Sequence, residues 1–465
     1  MNNNIWIKFY KNNILEEVTF NEAEVRVSQK KKDLLNSGLI KGDIVVVLLP
    51  NSIETIVMYL ALYELKIIII PLIENTFIGR LKYIIEECNA RAIINDSGIE
   101  FINNNNKKNE FENKLSKIST IIYTSGTTGN PKGVCLSWDN WMTNVNSIIR
   151  HHNLTEDSII STCLPLSHCN AHGFAFLASY VSKSRLILFD KYCENMLDII
   201  KNERVNILSI VPAILFKLFK ENPNWNKYPD LKYILTAAAP LNFNLFKNIY
   251  YQWGVKIIQG FGLSESTNFS CTFPTEISES EYVEIMSPQP SIGVVLNGVN
   301  IKIGQDDLEG KVGEVLINSK SNFFGYFKDG LFEQNSEIQT GDLGFYKTYR
   351  NKRYYYLTGR IKELINRGGE KLSPLEIELE LSTLGFTGEY SIIKISSEKF
   401  GEEVALATTK LPDLKNLYKI PWYRRPKVVF IISNLNTTET GKVQRGKIAE
   451  ECMLGNYLHK YIIKQ

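Results

Sequence analysis

The segment YTSGTTGNPKGV, residues 123–134, decides how the rest of this chain is read. It follows an apolar strand predicted over residues 120–123, and the ten residues after Tyr123 hold three glycines, one proline, one lysine and four hydroxyl side chains. Glycine lets backbone N–H groups turn toward an anion with no Cβ in the way. Around Gly126 and Gly129, the side chains of Thr124, Ser125, Thr127, Thr128 and Lys132 add further donors. The segment is built like a phosphate cradle. It is not the Walker arrangement, because Gly126 and Gly129 are three apart and no Gly-Lys-Ser/Thr follows. In a shorter fragment the same composition reads as a flexible turn.

The chain around it is 465 residues long, which calls for two or three folding units. With 44% apolar and 22% charged residues it has the composition of an ordinary globular protein. A net charge of +3 on 53 basic and 50 acidic residues leaves no polycationic surface for nucleic acid or an anionic membrane, so any anion site is local. The cysteines, at 88, 135, 163, 169, 193, 271 and 452, are scattered and never form C-x-x-C. That argues against a disulfide framework or a zinc site and for a reducing compartment, so a cytoplasmic location is expected. The opening MNNNIWIKFYKNN lacks the apolar core of a signal peptide. The most apolar runs, residues 43–50 and 67–71, fall far short of the roughly 20 residues a membrane helix needs and read as buried strands.

Upstream of the cradle, predicted helices at 21–37, 54–65 and 81–87 alternate with strands at 44–49, 67–71 and 92–94. Such alternation implies a parallel sheet wrapped by amphipathic helices. Residues 100–117, rich in Asn and Lys, read as a surface loop, and Lys30–Lys32 as solvated surface. Downstream, a second alternating stretch runs from 158 through 185–189, 207–211 and 233–236 to 256–259. From about Ser291 the pattern changes to short strands and turns, as in a small antiparallel barrel or sheet. A helix at 375–381, strands at 390–395 and 403–409 and a helical tail at 446–461 then make a compact α+β unit. The expected class is α/β: a large N-terminal domain of helix-wrapped, mostly parallel sheets with a small β subdomain, residues 1–360, and a small α+β domain, residues 361–465.

Residues 123–134 resemble the signature loop of the adenylate-forming superfamily, which includes acyl- and aryl-CoA synthetases, amino-acid adenylation domains and luciferases. The resemblance implies that the loop holds the β- and γ-phosphates of ATP. Other motifs follow in the family's order over about 320 residues. QGFGLSE (259–265) is similar to the family's Q-G-Y-G-x-T-E, implying Phe261 stacked on adenine, Gly262 beside the nucleotide, Gly260 at the acid, Ser264 on the α-phosphate and Glu265 as a Mg²⁺ ligand. An aromatic face suits a base, and a carboxylate suits Mg²⁺ bridging phosphates. LTAAAPL (235–241) resembles a segment lining both subsites, with Ala238 toward the nucleotide and Ala237 toward the acid; alanines stand where the family has glycine. TGDLG (340–344) places Asp342 at both ribose hydroxyls, a two-acceptor task suited to a carboxylate. Residues 356–378 match the family's hinge region, implying Arg360 at the ribose, Lys362 as the pivot of a mobile C-terminal domain, and Gly368 and Gly369 near the pantetheine arm. Ser373-Pro374 also reads as a helix start. NTTETGKVQR (436–445) puts Lys442 as the catalytic lysine, with Asn436 where the family has proline.

The acid pocket is implied to begin at LPLSHCNAHGF (164–174), with His168 and Cys169 facing the substrate. Amino-acid-activating members carry an aspartate where this chain has Cys169. A neutral thiol cannot balance a buried ammonium, so an aryl or aliphatic acid is expected. His172 reads as a core residue, and His151 and His152 as a helix-end pair. No carrier domain follows Lys442 in this sequence, so the acceptor thiol is expected in trans, from CoA or the phosphopantetheine of a separate acyl carrier protein. Adenylation without thioester formation, a nucleotide-binding homologue without catalysis and a luciferase-like oxygenase remain as other classes.

Overall fold

The computed structural model describes residues 4–12, 14–102, 116–124, 131–222, 225, 228–327, 337–386, 388–438 and 442–463. A seven-stranded sheet holds, in order, Gly325–Tyr326, Lys132–Ser137, Ile118–Thr124, Ile68–Leu72, Ile44–Leu48, Ala92–Asn95 and Gly98–Phe101. Its centre is parallel. Along Ile44–Leu48, Val45 and Val47 enter the main core while Ile44 and Val46 enter a second one. A run of branched residues fits a parallel strand buried on both faces.

A nine-stranded sheet is parallel from Lys256–Gly262 through Tyr233–Thr236, Ile207–Ile210, Ile159–Thr162 and Arg185–Phe189 to Ile5–Lys11. Helix Ile53–Glu64 belongs to the same core cluster as Val45 and Ile69 of one sheet and Ile160 and Leu186 of the other. It is therefore buried nearly all round, not amphipathic as the alternation suggested. A four-stranded antiparallel sheet built from Val299–Ile303, Gly313–Ser319, Ile338–Tyr349 and Lys352–Arg360 matches the expected β subdomain.

The C-terminal unit is a six-stranded sheet covered on both faces. Ile392, Val404 and Leu406 pack with Ile377 and Leu381 of helix Pro374–Thr383, whereas Ile393, Ala405 and Ala407 pack with Ile448 and Cys452 of helix Arg445–Met453. The period-two alternation of adjacent strands thus assigns each helix its face. Ser373 caps the first helix by accepting from the Glu376 N–H, with Pro374 in the first turn, as the sequence indicated.

Three readings of the sequence change. Residues 5–11, left without an element, form a strand beside Arg185–Phe189, with Trp6 and Ile7 fully buried. The predicted loop begins inside a strand, since Gly98–Phe101 pairs antiparallel with Ala92–Asn95; residues 103–115 lie outside the described residues. The helical tail stops at Met453: Gly455 takes φ +91°, and His459–Ile462 adds a strand to the sheet edge. Among the described residues no helix is long and apolar enough to cross a membrane, and the cysteines are free thiols.

Four histidines make the large domain sensitive to acid, since burial also holds His151 and His152 below the ordinary imidazole range. Burial pushes His168 and His172 down to about 4. His172 donates from Nδ1 to the Leu166 carbonyl at 3.0 Å and accepts at Nε2 from the Tyr63 hydroxyl at 2.7 Å, so it is a neutral core group as expected. In the unfolded chain His168 and His172 bind protons near pH 6.5, so their contribution to stability is present above that value and is lost as pH falls through 4. Each accounts for about 3 kcal/mol across that window. The melting temperature should therefore fall between pH 6.5 and 4, and His172→Gln should reduce the pH slope of unfolding free energy by about one proton's worth.

Candidate active site

Parallel α/β sheets place ligands at the carboxyl ends of their strands. There, a cavity of about 710 Å³ opens against the C-terminal unit. Cys169 follows strand Ile159–Thr162, Val211 follows Ile207–Ile210, Ala237 and Ala238 follow Tyr233–Thr236, and Gly260 lies at the end of the next strand. Asp342, Arg360 and Lys442 form the facing wall.

The QGFGLSE segment is shaped by close packing. A Cβ on Gly262 would sit 1.6 Å from the Asn268 carbonyl oxygen, and one on Gly260 would sit 2.8 Å from the Phe269 ring. Phe261, only 7% exposed, stands between them in the cavity wall. After the short 3₁₀ turn Ser264–Ser266, Thr267 takes φ +73°, and Ala238 takes φ +71°; both conformations are strained for residues with a Cβ. Such strain concentrates at sites where backbone is held for a ligand. The Cys169 thiol donates to Ser264 Oγ at 3.6 Å, and burial pushes that thiol up to about 12, so it is protonated.

Glu265 accepts a hydrogen bond from the Tyr326 hydroxyl at 2.8 Å, and Lys132 Nζ lies 4.8 Å over the Tyr326 ring. Tyr326 thereby ties the end of the signature segment to the carboxylate beside Ser264. A carboxylate, a hydroxyl and a lysine gathered at one strand end suit Mg²⁺ and phosphate oxygens.

Asp342 and Arg360 face each other across the hairpin Ile338–Tyr349/Lys352–Arg360. Arg360 donates to Asp342 through Nε at 2.5 Å and Nη2 at 3.3 Å. Burial raises the Asp342 carboxyl above its ordinary range, against the pull of Arg360. Lys442 shares this field: burial, then Arg360, holds its ammonium below the ordinary lysine range, with Glu363 and Asp342 acting the other way. The residues on either side of 439–441, which lie outside the described residues, pair with one another. Thr437 bridges Val443, the Thr438 N–H donates to the Lys442 carbonyl at 2.8 Å, and Asn436 Nδ2 reaches Glu451 at 2.6 Å. Asn436 therefore anchors this segment to helix Arg445–Met453 in place of the family's proline.

Arg445 then fixes these paired residues within their unit. It donates to Glu363 at 3.0 Å, to both oxygens of Glu378 and to the Ile392 carbonyl at 3.1 Å. Across the seam to the large domain, Asn244 Nδ2 donates to the carbonyls of Ser382 at 3.0 Å and Phe386 at 2.9 Å, and Asn242 Nδ2 to Tyr390 Oη at 3.4 Å.

Of the residues singled out from sequence, His168, Cys169, Ala237, Ala238, Gly260, Phe261, Gly262, Ser264, Asp342, Arg360 and Lys442 line one cavity. Glu265 lies next to Ser264, and Lys132 reaches it through Tyr326. Thr124 ends the strand Ile118–Thr124, while Ser125, Gly126, Thr127, Thr128 and Gly129 lie outside the described residues. Lys362 is in the 3₁₀ turn Ile361–Glu363 that leads into the C-terminal unit. Gly368 and Gly369 do not join the cavity; they turn a hairpin with φ +60° and +95°, beside Phe400. Asn268 and Tyr326 escape a reading by motif, being single polar residues outside every quoted segment, whereas Asn170 and Arg445 lie within the segments 164–174 and 436–445 without an assigned role.

The chain is similar to the 2-succinylbenzoate–CoA ligase of Bacillus cereus (strain Q1), 26% identical over 468 residues and 94% of each chain. ATP-bound MatB from Rhodopseudomonas palustris superposes with a TM-score of 0.82 at 21% identity, covering 97% of this chain and 96% of that one. The O-succinylbenzoate coenzyme A synthetase (MenE) from Bacillus subtilis, in complex with ATP and magnesium ion, superposes at 0.79 with 21% identity, covering 95% and 96%. The family model described as AMP-binding enzyme matches residues 7–327. The chain is an AMP-forming acid–thiol ligase and belongs to the AMP-binding enzyme family.

Proposed function

We propose that the chain activates an aryl or aliphatic carboxylic acid, not an α-amino acid, as its acyl-adenylate, and then passes the acyl group to the thiol of CoA. The observation that carries this is the convergence of Lys442, Asp342, Arg360 and Ser264 on one cavity whose far wall holds the neutral Cys169 thiol.

In the first step a carboxylate oxygen bonds to the α-phosphorus of ATP and the bond to the β-phosphate oxygen breaks, releasing pyrophosphate. Two anions meet, so positioned cations and donors lower the barrier. Lys442 serves the carboxylate and α-phosphate, Ser264 the α-phosphate, and Lys132 with the signature loop the departing pyrophosphate. Phe261 stacks on the adenine. Asp342 receives the ribose hydroxyls, since a carboxylate has about four acceptor sites and Arg360 occupies only part of them. Mg²⁺ held by Glu265 supplies neutralisation of the phosphate charge. In the second step the thiol sulfur bonds to the acyl carbon, AMP leaves, and the thiol proton goes to solvent. The chain divides for this purpose into residues 1–360 and a pivoting unit of residues 361–465, with Lys362 absorbing the rotation and Gly368-Gly369 turning toward the acceptor arm. Seven free cysteines suit the cytoplasm.

The test is pyrophosphate release and product mass spectrometry over a panel of acids. Release is expected to require an acid, and CoA to convert the adenylate to acyl-CoA. Nucleotide binding without acid-dependent release would mark a binding protein. Thioester formation on a phosphopantetheinyl carrier protein but not on CoA would reassign the acceptor.

A further inference from the structure

Two short stretches far apart in sequence place charged side chains along one edge of the cavity. Residues 360–363 bring Arg360 and Glu363, and residues 442–445 bring Lys442 and Arg445; Asp342 and Glu378 lie beside them. Most of these groups are already engaged. Arg360 donates to both oxygens of Asp342. Arg445 donates to both oxygens of Glu378, whose Oε1 also accepts from the Ile392 N–H at 2.7 Å and from Ser391 Oγ at 3.2 Å.

Glu363 is the carboxylate with an oxygen to spare. It ends the 3₁₀ turn Ile361–Glu363, and its Oε2 accepts from Arg445 Nε at 3.0 Å, while its Oε1 has no hydrogen-bond partner among the described residues. The Lys442 ammonium likewise has no hydrogen bond or ion pair among the described residues; only its backbone is held, by Thr438. Arg445, three residues after the lysine, opens helix Arg445–Met453 and so links the two. With side chains 15% and 30% exposed, the Arg445–Glu363 pair is screened less than a surface pair.

We propose that Glu363 is a positioning residue for adenylation: its Oε2 holds Arg445, and through it the stretch that carries Lys442, while its Oε1 presents the negative charge that draws the ammonium into the cavity. The proposal rests on the ligase reading above and on the role given there to Lys442. The charges around the lysine show why such a group is needed. Burial, then Arg360, favours the neutral amine, and Arg445 adds to this; Glu363 is the foremost opposing charge, ahead of Asp342. Asp342 is drawn on by Arg360 from the facing strand, whereas Glu363 keeps an oxygen free. Glu363 also belongs to the same unit as Lys442. On the proposed pivot the lysine therefore travels with this counter-charge, while Asp342 and Arg360 stay with the large domain.

Two substitutions in the full chain separate the two oxygens' tasks. Glu363→Gln removes the charge and keeps an acceptor for Arg445; Glu363→Ala removes both. Pyrophosphate release is followed with ATP, Mg²⁺ and whichever of benzoate, 4-phenylbutanoate, octanoate and 2-succinylbenzoate reacts fastest. In Glu363→Gln the alkaline limb of kcat/KM should move to lower pH, since the ammonium loses its counter-charge. Glu363→Ala should also lose about 10–10²-fold in release at neutral pH, up to the cost of a 1 Å misplacement. Thioester formation from the supplied acyl-adenylate should stay within a few-fold in both. On a Lys442→Ala background neither substitution should lower release further, because a residue that acts through the lysine has nothing left to position. A merely structural role would lower both half-reactions and the melting temperature and leave the alkaline limb in place. A limb unmoved in Glu363→Gln, or a loss in Glu363→Ala that persists undiminished without Lys442, would overturn the proposal while leaving the ligase reading intact. No acid-dependent release by the parent chain would overturn the ligase reading itself.

Discussion

Lys442→Ala should lower acid-dependent pyrophosphate release by about 10²–10³-fold, the usual loss when one preorganised donor to a developing anion is removed. Thioester formation from acyl-adenylate supplied ready-made should stay within a few-fold of the parent. The asymmetry follows from placement. Lys442 sits on the C-terminal unit, which is proposed to pivot, and its ammonium shares the cavity with Arg360 and Asp342, where carboxylate and α-phosphate are proposed to meet. Its contribution is confined to the adenylation geometry. The fold should not suffer, because the Lys442 backbone pairs with Thr438 and alanine keeps those bonds. The wild-type rate should also fall on the alkaline side earlier than an ordinary lysine would dictate. Burial favours the neutral amine, and a neutral amine no longer screens two anions. Equal losses in both half-reactions, measured by quenched flow, would remove Lys442 from its assigned role.

Gly262→Ala should be the most damaging small substitution in the cavity wall. The new methyl group would stand 1.6 Å from the Asn268 oxygen, 2.6 Å from its carbonyl carbon and 3.0 Å from Phe269 Cα. All three are backbone atoms, so no side-chain rotation relieves the clash. Strands Lys256–Gly262 and Phe269–Thr272, paired here at Gly262 and Phe269, must separate. Overpacking against rigid atoms costs about 1–3 kcal/mol and here exceeds that range. Because Phe261 and Ser264 ride on the same backbone, a shift of about 1 Å should reduce adenylation by a further 10²-fold. Thermal melting and ATP binding both report it. Gly446→Ala is the control: a Cβ there meets open space at the start of helix Arg445–Met453, and stability should hold or improve slightly.

Local chemistry was legible in the sequence; long-range pairing was not. The branched runs at 44–48 and 68–72 announced buried parallel strands because their burial on both faces demands apolar residues throughout. Strand Ile5–Lys11 escaped because its partner begins at Arg185, and no periodicity in seven residues reveals a neighbour so distant. The tail strand His459–Ile462 escaped because its pattern is mostly exposed. At the site, Asp342 and Arg360 were each readable from motifs, but their pairing comes from hairpin register. Asn268 gave no signal at all, because an isolated asparagine looks alike in a turn and in a pocket wall.

For the proposed pivot of the C-terminal unit, the asparagine seam between the two units sets the energy scale. Asn242 and Asn244 join them through neutral hydrogen bonds to Ser382, Phe386 and Tyr390, and Ser373 Oγ donates to the Thr358 carbonyl across the same boundary. Bonds of this kind contribute about 0.5–1.5 kcal/mol each, so the seam biases the orientations by only a few kcal/mol. Inverting a 1:99 population to 99:1 takes about 5.5 kcal/mol of differential affinity. A single bound polyphosphate, present before chemistry and gone after it, is of the right size to supply that difference. On the proposed pivot, occupancy of the phosphate subsite, and not any covalent latch, sets the direction in which the catalytic cycle turns.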